Sequence, residues 1–345
     1  MMKHCQARIP IYRSLLPWKG DSKKEIMKKM LTLLNVSVLL VCVSLLINDL
    51  VLEPVRSDRE QQDVKKLYYS TPPSSKMDMP SSSKVAVSSK PLEQEAMPSK
   101  PSRFAAQQKV NPDIVGWITI PNTNIDLPVL QANPQAPEFY LTHDTNKNNA
   151  VYGRIFADCR APVTDQNSRS MILYGHSLLS GRMFTQLNKY KALDFYKSAP
   201  SFTFDTIDDQ SKWKVISVFL TNTLPEQGEP FDYMKTNFKS DSDYLNFVYQ
   251  LRIRSIYNTG VSCNANDKIV LLSTCSYEFK DFREVVVARK ARAGASNVVK
   301  TDRASYNNKV LYPDCWYKKN GGKKPVWPST YEQAVKDKVL SWSEE

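Results

Sequence analysis

Residues 268–290 read KIVLLSTCSYEFKDFREVVVARK, and this stretch decides the fold. Two apolar runs rich in β-branched residues flank a short polar segment, which is the pattern of two buried strands with a loop between them. Cys275 stands at the end of the first run and opens the loop, and Arg283 begins the second run eight residues later. The stretch therefore predicts two strands, each with a chemically useful side chain at its end.

Residues 104–290 carry more strands of the same kind. A short helix is predicted over 104–110 and a longer one over 240–257, where apolar residues recur at helical spacing and Ser240 or Asp241 can cap the first turn. β-branched and aromatic runs bounded by turn residues predict the remaining strands at 115–120, 126–131, 152–156, 170–174, 201–205 and 213–221. Strands this frequent with few intervening helices predict a mainly β fold, a closed β-barrel with peripheral helices.

The net charge of +12 argues against a nucleic-acid-binding protein. It arises from 47 Lys and Arg against 35 Asp and Glu in 345 residues. Residues 1–29 carry +6 and residues 291–345 carry +4, whereas residues 105–290 hold 20 basic and 19 acidic side chains. A nucleic-acid-binding domain is expected to concentrate its basic excess on the folded part of the chain. The excess here lies outside that part.

Residues 30–48 form an uncharged apolar run of 19 residues, close to the roughly 20 that cross a bilayer as a helix. A buried core helix is the alternative, but this run is apolar nearly all round. A cleaved signal peptide is the other alternative, but its apolar region is shorter, about 7–15 residues, and ends in a small-residue cleavage site. We expect one N-terminal transmembrane signal anchor, with residues 1–29 cytoplasmic and the rest extracellular.

The composition divides the rest of the chain into three parts. Residues 49–103 are expected to form an extracellular stalk, with a short exposed helix over 53–69 and a Pro/Ser/Lys-rich tether after it. Residues 104–290 are expected to form one folded domain that carries the function. Residues 291–345, rich in Trp and Tyr, are expected to pack on the barrel as a C-terminal extension, with an unstructured tail as the alternative.

The number and spacing of the histidines and cysteines limit the kinds of site that the chain can form. The chain has three histidines, His4, His143 and His176, and six cysteines without a CxxC pair. This pattern predicts no metal site and no cofactor. A disulfide from Cys159 to Cys263 or Cys315 stays open for an extracellular domain.

A nucleophilic cysteine needs a lowered pKa and a partner that handles protons. Cys275 follows an apolar strand, and His176 ends the strand MILYGH, where Gly175 allows a close turn. Taken singly, Cys275 reads as a structural thiol, His176 as a loop residue and Arg283 as a salt-bridge residue. Taken together they stand at three strand ends, and strand ends on one rim of a barrel can converge.

At these residues the sequence resembles the sortases, membrane-anchored cysteine transpeptidases of Gram-positive bacteria, and within them class B. The resemblance runs from about Phe104 to Lys290. The motifs that carry it are LLSTC (271–275), YGH (174–176), MFTQL (183–187), FYLTHD (139–144), YGRIFAD (152–158) and VGWITIPNTNIDLPVLQ (115–131). Leu271 departs from the Thr common at that position, and the long tail has no counterpart in the core motifs. The resemblance implies a closed sortase-type β-barrel.

The resemblance also implies a mechanism. Cys275 would attack the carbonyl of a Thr in a sorting signal near the C-terminus of a secreted protein and form a thioacyl enzyme. His176 would protonate the leaving amine and then deprotonate an incoming peptidoglycan-precursor amine. Arg283 would hold the substrate backbone or the oxyanion, with Arg289 as a competitor on the same strand face. The lower-ranked candidates for substrate binding are Ser273, Thr274 and Ser276.

The expected partners are secreted proteins with a C-terminal sorting signal, a cell-wall or pilin amine as acceptor, and the membrane. Other functions remain open at this point. They are a pilin-polymerising enzyme, a catalytically silent wall-binding domain tethered to the membrane, and a cysteine endopeptidase that transfers the acyl group to water.

Overall fold

The computed structural model describes residues 15–70, 103–207 and 209–340. The chain divides into two compact units, one that ends at Arg59 and one that begins at Glu60. Most of the predicted tether, with Cys5, His4 and Asp208, lies outside the described residues.

The N-terminal unit contains helix α1 (Lys23–Ile47) and a π-helical segment (Asn48–Leu52), and helix α2 (Glu53–Ser70) begins in this unit and ends in the second. Ser22 caps α1, because its hydroxyl accepts from the Glu25 amide at 3.3 Å while the Glu25 carboxylate accepts from the Ser22 amide at 2.8 Å. No described residue of α1 is buried. The helical stretch Lys23–Ser70 is long and apolar enough to cross a membrane, which is consistent with the predicted anchor.

In the second unit, the strands close into a barrel in the order β1-β2-β3-β4-β8-β9-β6-β5, with β5 paired back to β1. The barrel strands are β1 (Ile114–Thr119), β2 (Asp126–Gln131), β3 (Ile155–Ala157), β4 (Ser170–Tyr174), β5 (Ser201–Thr206), β6 (Gln210–Thr221), β8 (Ile269–Ser276) and β9 (Phe282–Lys290). Strand β7 (Tyr257–Asn258) pairs outside the barrel with β10 (Ser305–Tyr306). The closed barrel predicted from the strand pattern is confirmed.

Short helices surround the barrel. They are α3 (Ala105–Val110), α4 (Leu193–Ser198), α5 (Asp241–Ile253), α6 (Asp314–Asn320) and α7 (Tyr331–Lys336), with 3-10 turns at Phe139–Leu141, Phe184–Lys191, Pro225–Gln227 and Thr301–Arg303. Helix α5 ends four residues before the predicted boundary. The reason is that the Ile256 amide donates to the carbonyl of Val218 at 2.8 Å, which draws the chain into an extended path.

The apolar runs of β8 and β9 are buried on both faces of the sheet. Val270, Leu272, Val286 and Ala288 pack in the barrel interior, because alternate side chains of a strand point to the same face. The residues that alternate with these along β8 and β9 point to the other face of the sheet, into the cluster that α5 covers. Two-sided burial explains why these strands read as continuous apolar runs rather than alternating ones.

The helix predicted as exposed at 53–69 is partly buried, so that prediction was wrong for its second half. Val64 and Tyr68 are buried, and the Tyr68 ring stacks on Trp117 with centroids 4.3 Å apart. The Tyr68 hydroxyl donates to Asp205 at 2.5 Å. An aromatic ring that gains both an apolar contact and a hydrogen-bond partner is stabilised by burial. Residues assigned by composition to the stalk therefore pack against the barrel.

The C-terminal extension packs on α5. Ala334 of α7 is buried with Tyr249 and Ile253, and Trp327 and Leu340 pack against this cluster. The Tyr249 hydroxyl donates to the Pro328 carbonyl at 2.8 Å.

Candidate active site

Cys275 and Arg283 are direct partners across the β8–β9 ladder. Strand β8 continues through Ser276, one residue beyond the cysteine, so Cys275 lies inside the strand rather than opening the loop. Side chains directly opposite each other in an antiparallel pair have Cβ atoms about 4.5–5.5 Å apart. Both residues are half-buried. The ladder therefore places the Cys275 and Arg283 side chains next to each other on one face of the sheet.

The parallel pairing of β4 with β8 brings His176 to the same place. Tyr174 is in register with Ser273, and two residues further along each chain lie His176 and Cys275. Beyond the ladder, the Gly175 amide donates to the Ser273 carbonyl at 3.3 Å, and the Thr274 hydroxyl donates to the Gly175 carbonyl at 2.8 Å. Thr274 thus holds the histidine segment against the cysteine strand.

Gly175 is required by close packing. A Cβ atom built on it would lie 2.8 Å from the ring of Phe184, the phenylalanine of the MFTQL motif. The Phe184 amide donates to the His176 carbonyl at 3.0 Å. The two motifs therefore form one backbone unit that fixes the direction in which His176 leaves the strand.

A backbone carbonyl orients the imidazole. His176 Nε2 lies 2.8 Å from the carbonyl oxygen of Leu141 in the FYLTHD motif. Because a carbonyl oxygen only accepts, Nε2 carries a hydrogen, and in the neutral tautomer Nδ1 is the nitrogen free to take a proton. Gly153 packs directly against the segment that carries this carbonyl. A Cβ atom at Gly153 would lie within 2.5 Å of the Tyr140 and Leu141 carbonyl oxygens.

One cavity of about 970 Å³ contains Cys275, His176 and Arg283 together with Ser273 and Thr274. Its other lining residues are Pro137, Glu138, Leu141, Phe156, Asp158, Cys159, Arg160, Tyr174, Gly175, Asn222, Thr223, Pro230, Phe231, Asp232, Tyr233, Met234. Apolar and aromatic walls with a few convergent polar groups are typical of a ligand site of this size. The cavity joins a thiol, an imidazole and a guanidinium group.

The sixth predicted site residue, Ser276, is not among the described residues that line the cavity. Its side chain is buried, its hydroxyl bonds to Glu278, and Lys191 Nζ lies 3.4 Å from it. Because side chains alternate along β8, the residue after Cys275 points to the opposite face.

Arg289, the competitor of Arg283, lies near the other end of β9. It pairs with Ile269, six residues or about 20 Å along the strand from Arg283. Its Nε is 3.8 Å from Asp267. Arg283 and Arg289 share a strand face as predicted, but the register places Arg289 far from Cys275.

The sequence did not single out the polar network on the cavity wall. The Tyr174 hydroxyl donates to Asp158 at 2.8 Å, and Arg160 holds the same carboxylate through Nε at 2.9 Å and Nη2 at 2.6 Å. Burial opposes the charge on Asp158, but these donors hold the pKa of its carboxyl group below the usual value. On the same wall, Tyr233 shares a hydrogen bond of 3.0 Å with Ser273. Tyr174 stood in the YGH motif, whereas Tyr233 carried no sequence signal.

Of the other described cysteines and histidines, Cys159 lines the cavity, whereas Cys42, Cys263, Cys315 and His143 are not among its lining residues. Cys42, Cys159, Cys263, Cys275 and Cys315 are free thiols, so the described residues do not form the disulfides left open by the sequence. No group of three or more potential metal-binding side chains occurs in the described ranges. His143 stacks on Phe139 with centroids 3.7 Å apart.

A fully buried carboxyl group lies on the interior side of the site. Glu284 follows Arg283, is fully buried, and neither carboxyl oxygen has a hydrogen-bond partner. Lys191 Nζ is 3.6 Å away, which is too far for a good hydrogen bond. Burial raises the pKa of Glu284 to about 7. At a pH between the ordinary pKa of a glutamate and about 7, the native state therefore keeps a proton on Glu284 that the unfolded chain has released.

This proton predicts a pH dependence of stability. Between the ordinary pKa of a glutamate and pH 7 the native state binds more protons than the unfolded state, so stability falls as pH rises through this window. We expect Glu284→Gln to remove up to about 3 kcal/mol of this fall. Urea unfolding at pH 5 and pH 8 measures this fall, with Glu332→Gln as the control because the Glu332 side chain is exposed. Equal pH slopes for Glu284→Gln and the wild type would contradict the assignment.

Comparison with known proteins agrees with this geometry. The family model of the sortase domain matches residues 118–291. Sortase B of Listeria monocytogenes is 33% identical over 177 residues, which are 51% of this chain and 68% of that protein. A Staphylococcus aureus sortase B–substrate complex superposes with a TM-score of 0.56 at 26% identity, covering 70% of this chain and all of the other. The corresponding values for sortase B from Bacillus anthracis in complex with AAEK1 are 0.55 and 28%, with 70% of this chain and 99% of that chain covered. The chain therefore belongs to the sortase family of cysteine transpeptidases, and within it to class B.

Proposed function

We propose that this enzyme cleaves a C-terminal sorting signal after a threonine and joins the new acyl end to a cell-wall amine. The observation that carries the proposal is the convergence of Cys275, His176 and Arg283 on one cavity. The same three side chains make a silent binding domain the weaker alternative. Substrate binding also agrees with the similarity to the S. aureus enzyme, whose structure contains a substrate.

In the first half-reaction, the Cys275 thiolate attacks the threonine carbonyl carbon. The C–N bond of the scissile peptide breaks, and protonated His176 gives its proton to the leaving amine. The product is a thioester between the threonine and Sγ of Cys275. Arg283, opposite Cys275 in the ladder, donates to the negatively charged oxygen of the tetrahedral intermediate.

In the second half-reaction, neutral His176 takes a proton from the incoming amine while the amine nitrogen attacks the thioester. The C–S bond breaks and Cys275 leaves as a thiolate, while His176 is protonated again. The Leu141 carbonyl stays bonded to Nε2 in both states, because it can accept from neutral or charged imidazole. The ring therefore keeps one orientation through the proton transfers.

Trapping with an amine tests the transferase reaction. The full chain in detergent is incubated with fluorogenic peptides of the NPxTN and LPxTG types, with and without oligoglycine, a lysine peptide or hydroxylamine. We expect mass spectrometry to show the threonine end joined to the amine, and an acyl adduct on Cys275 at short times. Hydrolysis that no amine diverts would indicate an endopeptidase. A preference for the lysine peptide would favour pilin polymerisation over wall anchoring.

We also propose that residues 1–29 are cytoplasmic and the catalytic domain is extracellular. The support is the basic segment 1–29, which includes the first turns of α1, and the apolar helical stretch that follows it. Protease added to intact protoplasts should digest the chain beyond residue 60 and spare a tag at the N-terminus. Protection of the barrel instead would reverse the orientation.

A further inference from the structure

The turn between β8 and β9, residues 277–281, connects the cysteine strand to the arginine strand. Asp281 adopts a φ of 56°, a left-handed conformation that non-glycine residues rarely hold unless their surroundings impose it. Arg283 Nη1 donates to the carbonyls of Asp281 at 3.2 Å and Phe282 at 3.1 Å. The position of the guanidinium group therefore depends on the conformation of this turn.

One side of the turn is held by the segment that follows β6. The Thr223 hydroxyl donates to the Asp281 carbonyl at 2.8 Å, and Gln227 Nε2 donates to the Lys280 carbonyl at 2.9 Å. Thr223 also lines the cavity. These bonds tie the turn to the cavity wall.

Another side of the turn is held by α6 of the C-terminal extension. Lys319 Nζ donates to the Glu278 carbonyl at 3.2 Å and lies 4.7 Å from the centre of the Phe279 ring. The Trp316 ring is 6.2 Å from Phe279, whose ring is in turn 4.7 Å from Phe282, the residue before Arg283. A row of aromatic rings therefore runs from the extension to the start of β9.

Helix α6 is itself fixed to α5 and to the segment that follows β6. Tyr312 stacks on Trp316 with centroids 4.2 Å apart, and the Leu311 amide donates to the Ile253 carbonyl at the end of α5 at 2.9 Å. Gly228, after the Pro225–Gln227 turn, leaves no room for a side chain, because a Cβ atom there would lie 2.9 Å from the Asp314 amide nitrogen. The extension thus contacts the β8–β9 turn and also the segment after β6 that binds the same turn. It lies beyond residue 291, where the match to the family model ends.

We infer that α6 braces the β8–β9 turn, and that Trp316 and Lys319 are positioning residues for Arg283. They hold the turn in the conformation that keeps Arg283 opposite Cys275 and its guanidinium group on the Asp281 and Phe282 carbonyls. The inference rests on the proposed role of Arg283. It assigns a task in transpeptidation to the C-terminal extension, which the core motifs leave unexplained.

Two variants of the full chain in detergent test the brace. Trp316→Ala removes the aromatic contact, and Lys319→Met removes the hydrogen bond but keeps the aliphatic stem. Their controls are Trp316→Phe, which keeps a ring, and Lys318→Met, since Lys318 is exposed on the same helix. Hydrogen exchange of the amides at 277–283 measures the turn, and kcat and KM for peptide cleavage measure the reaction per titrated Cys275 thiol.

For Trp316→Ala we expect about tenfold faster exchange at 277–283 and about tenfold lower kcat, with KM within twofold of wild type. Lys319→Met should show a smaller change in the same direction, while Trp316→Phe and Lys318→Met stay near wild type. Unchanged exchange at 277–283 in Trp316→Ala would overturn the brace, whatever the activity. A wild type that cleaves no peptide would instead overturn the proposed function, and the exchange result would still decide the brace.

Discussion

Replacing Cys275 with alanine is expected to lower kcat/KM for sorting-signal peptides by at least about 10³-fold. In the proposed mechanism the thiol forms the bond that carries the acyl group, so no residual step can replace it. The remaining cavity, with His176 and Arg283 in place, can still bind peptide. We therefore expect KM, or a directly measured Kd for the peptide, to change much less than turnover.

Cys159 provides the matched control for this substitution. It is a free, half-buried cysteine that lines the same cavity, so Cys159→Ala removes a thiol of similar exposure. We expect Cys159→Ala to retain most of its activity and to remain sensitive to a thiol-modifying reagent. Cleavage at the wild-type rate by Cys275→Ala would remove the cysteine mechanism altogether.

The second large effect is expected for His176. Loss of a positioned general acid and base costs about 10²–10⁴-fold, so His176→Ala should lower kcat by that factor. The stronger sign is the pH profile: the limb of the rate curve that reports on the histidine should disappear. Measuring kcat from pH 5 to pH 9 with a peptide and a fixed amine concentration tests both expectations.

His143 is the control for His176. Its Nδ1 lies 2.8 Å from the Phe139 carbonyl and its ring stacks on Phe139, so its contacts are with its own turn. We expect His143→Gln to keep the wild-type pH profile, with a rate within a few fold. Equal losses in the two histidine variants would mean that the FYLTHD segment, rather than the imidazole of His176, limits the reaction.

Much of the barrel was predictable because its strands carry strong local signals. The runs at β8 and β9 are apolar on both faces, and β-branched residues favour extended backbone. Boundaries were less predictable. Strand β3 begins three residues later than expected, and Cys275 lies inside β8 rather than at its end. Pairing with a neighbouring strand sets where a strand ends, and pairing is not a local property.

The candidate site was likewise predictable from the sequence only in part. Residue types at strand ends pointed to Cys275, His176 and Arg283, and the cavity contains all three. Ser276 was a candidate only because it is next to Cys275 in sequence, and the alternation along the strand turns it to the other face. Tyr233 was missed because its contact with Ser273 joins residues forty positions apart.

The sequence by itself determined the apolar helical stretch, the strands of the barrel and the three candidate site residues, because each has a local pattern or a motif. The tertiary structure alone decided which residues meet. Ladder register placed Arg283, and not Arg289, opposite Cys275. Packing buried Tyr68 in what composition called a stalk, and it brought the C-terminal extension to the β8–β9 turn. These contacts join distant parts of the chain, and only the closed barrel supplies the surfaces on which they form.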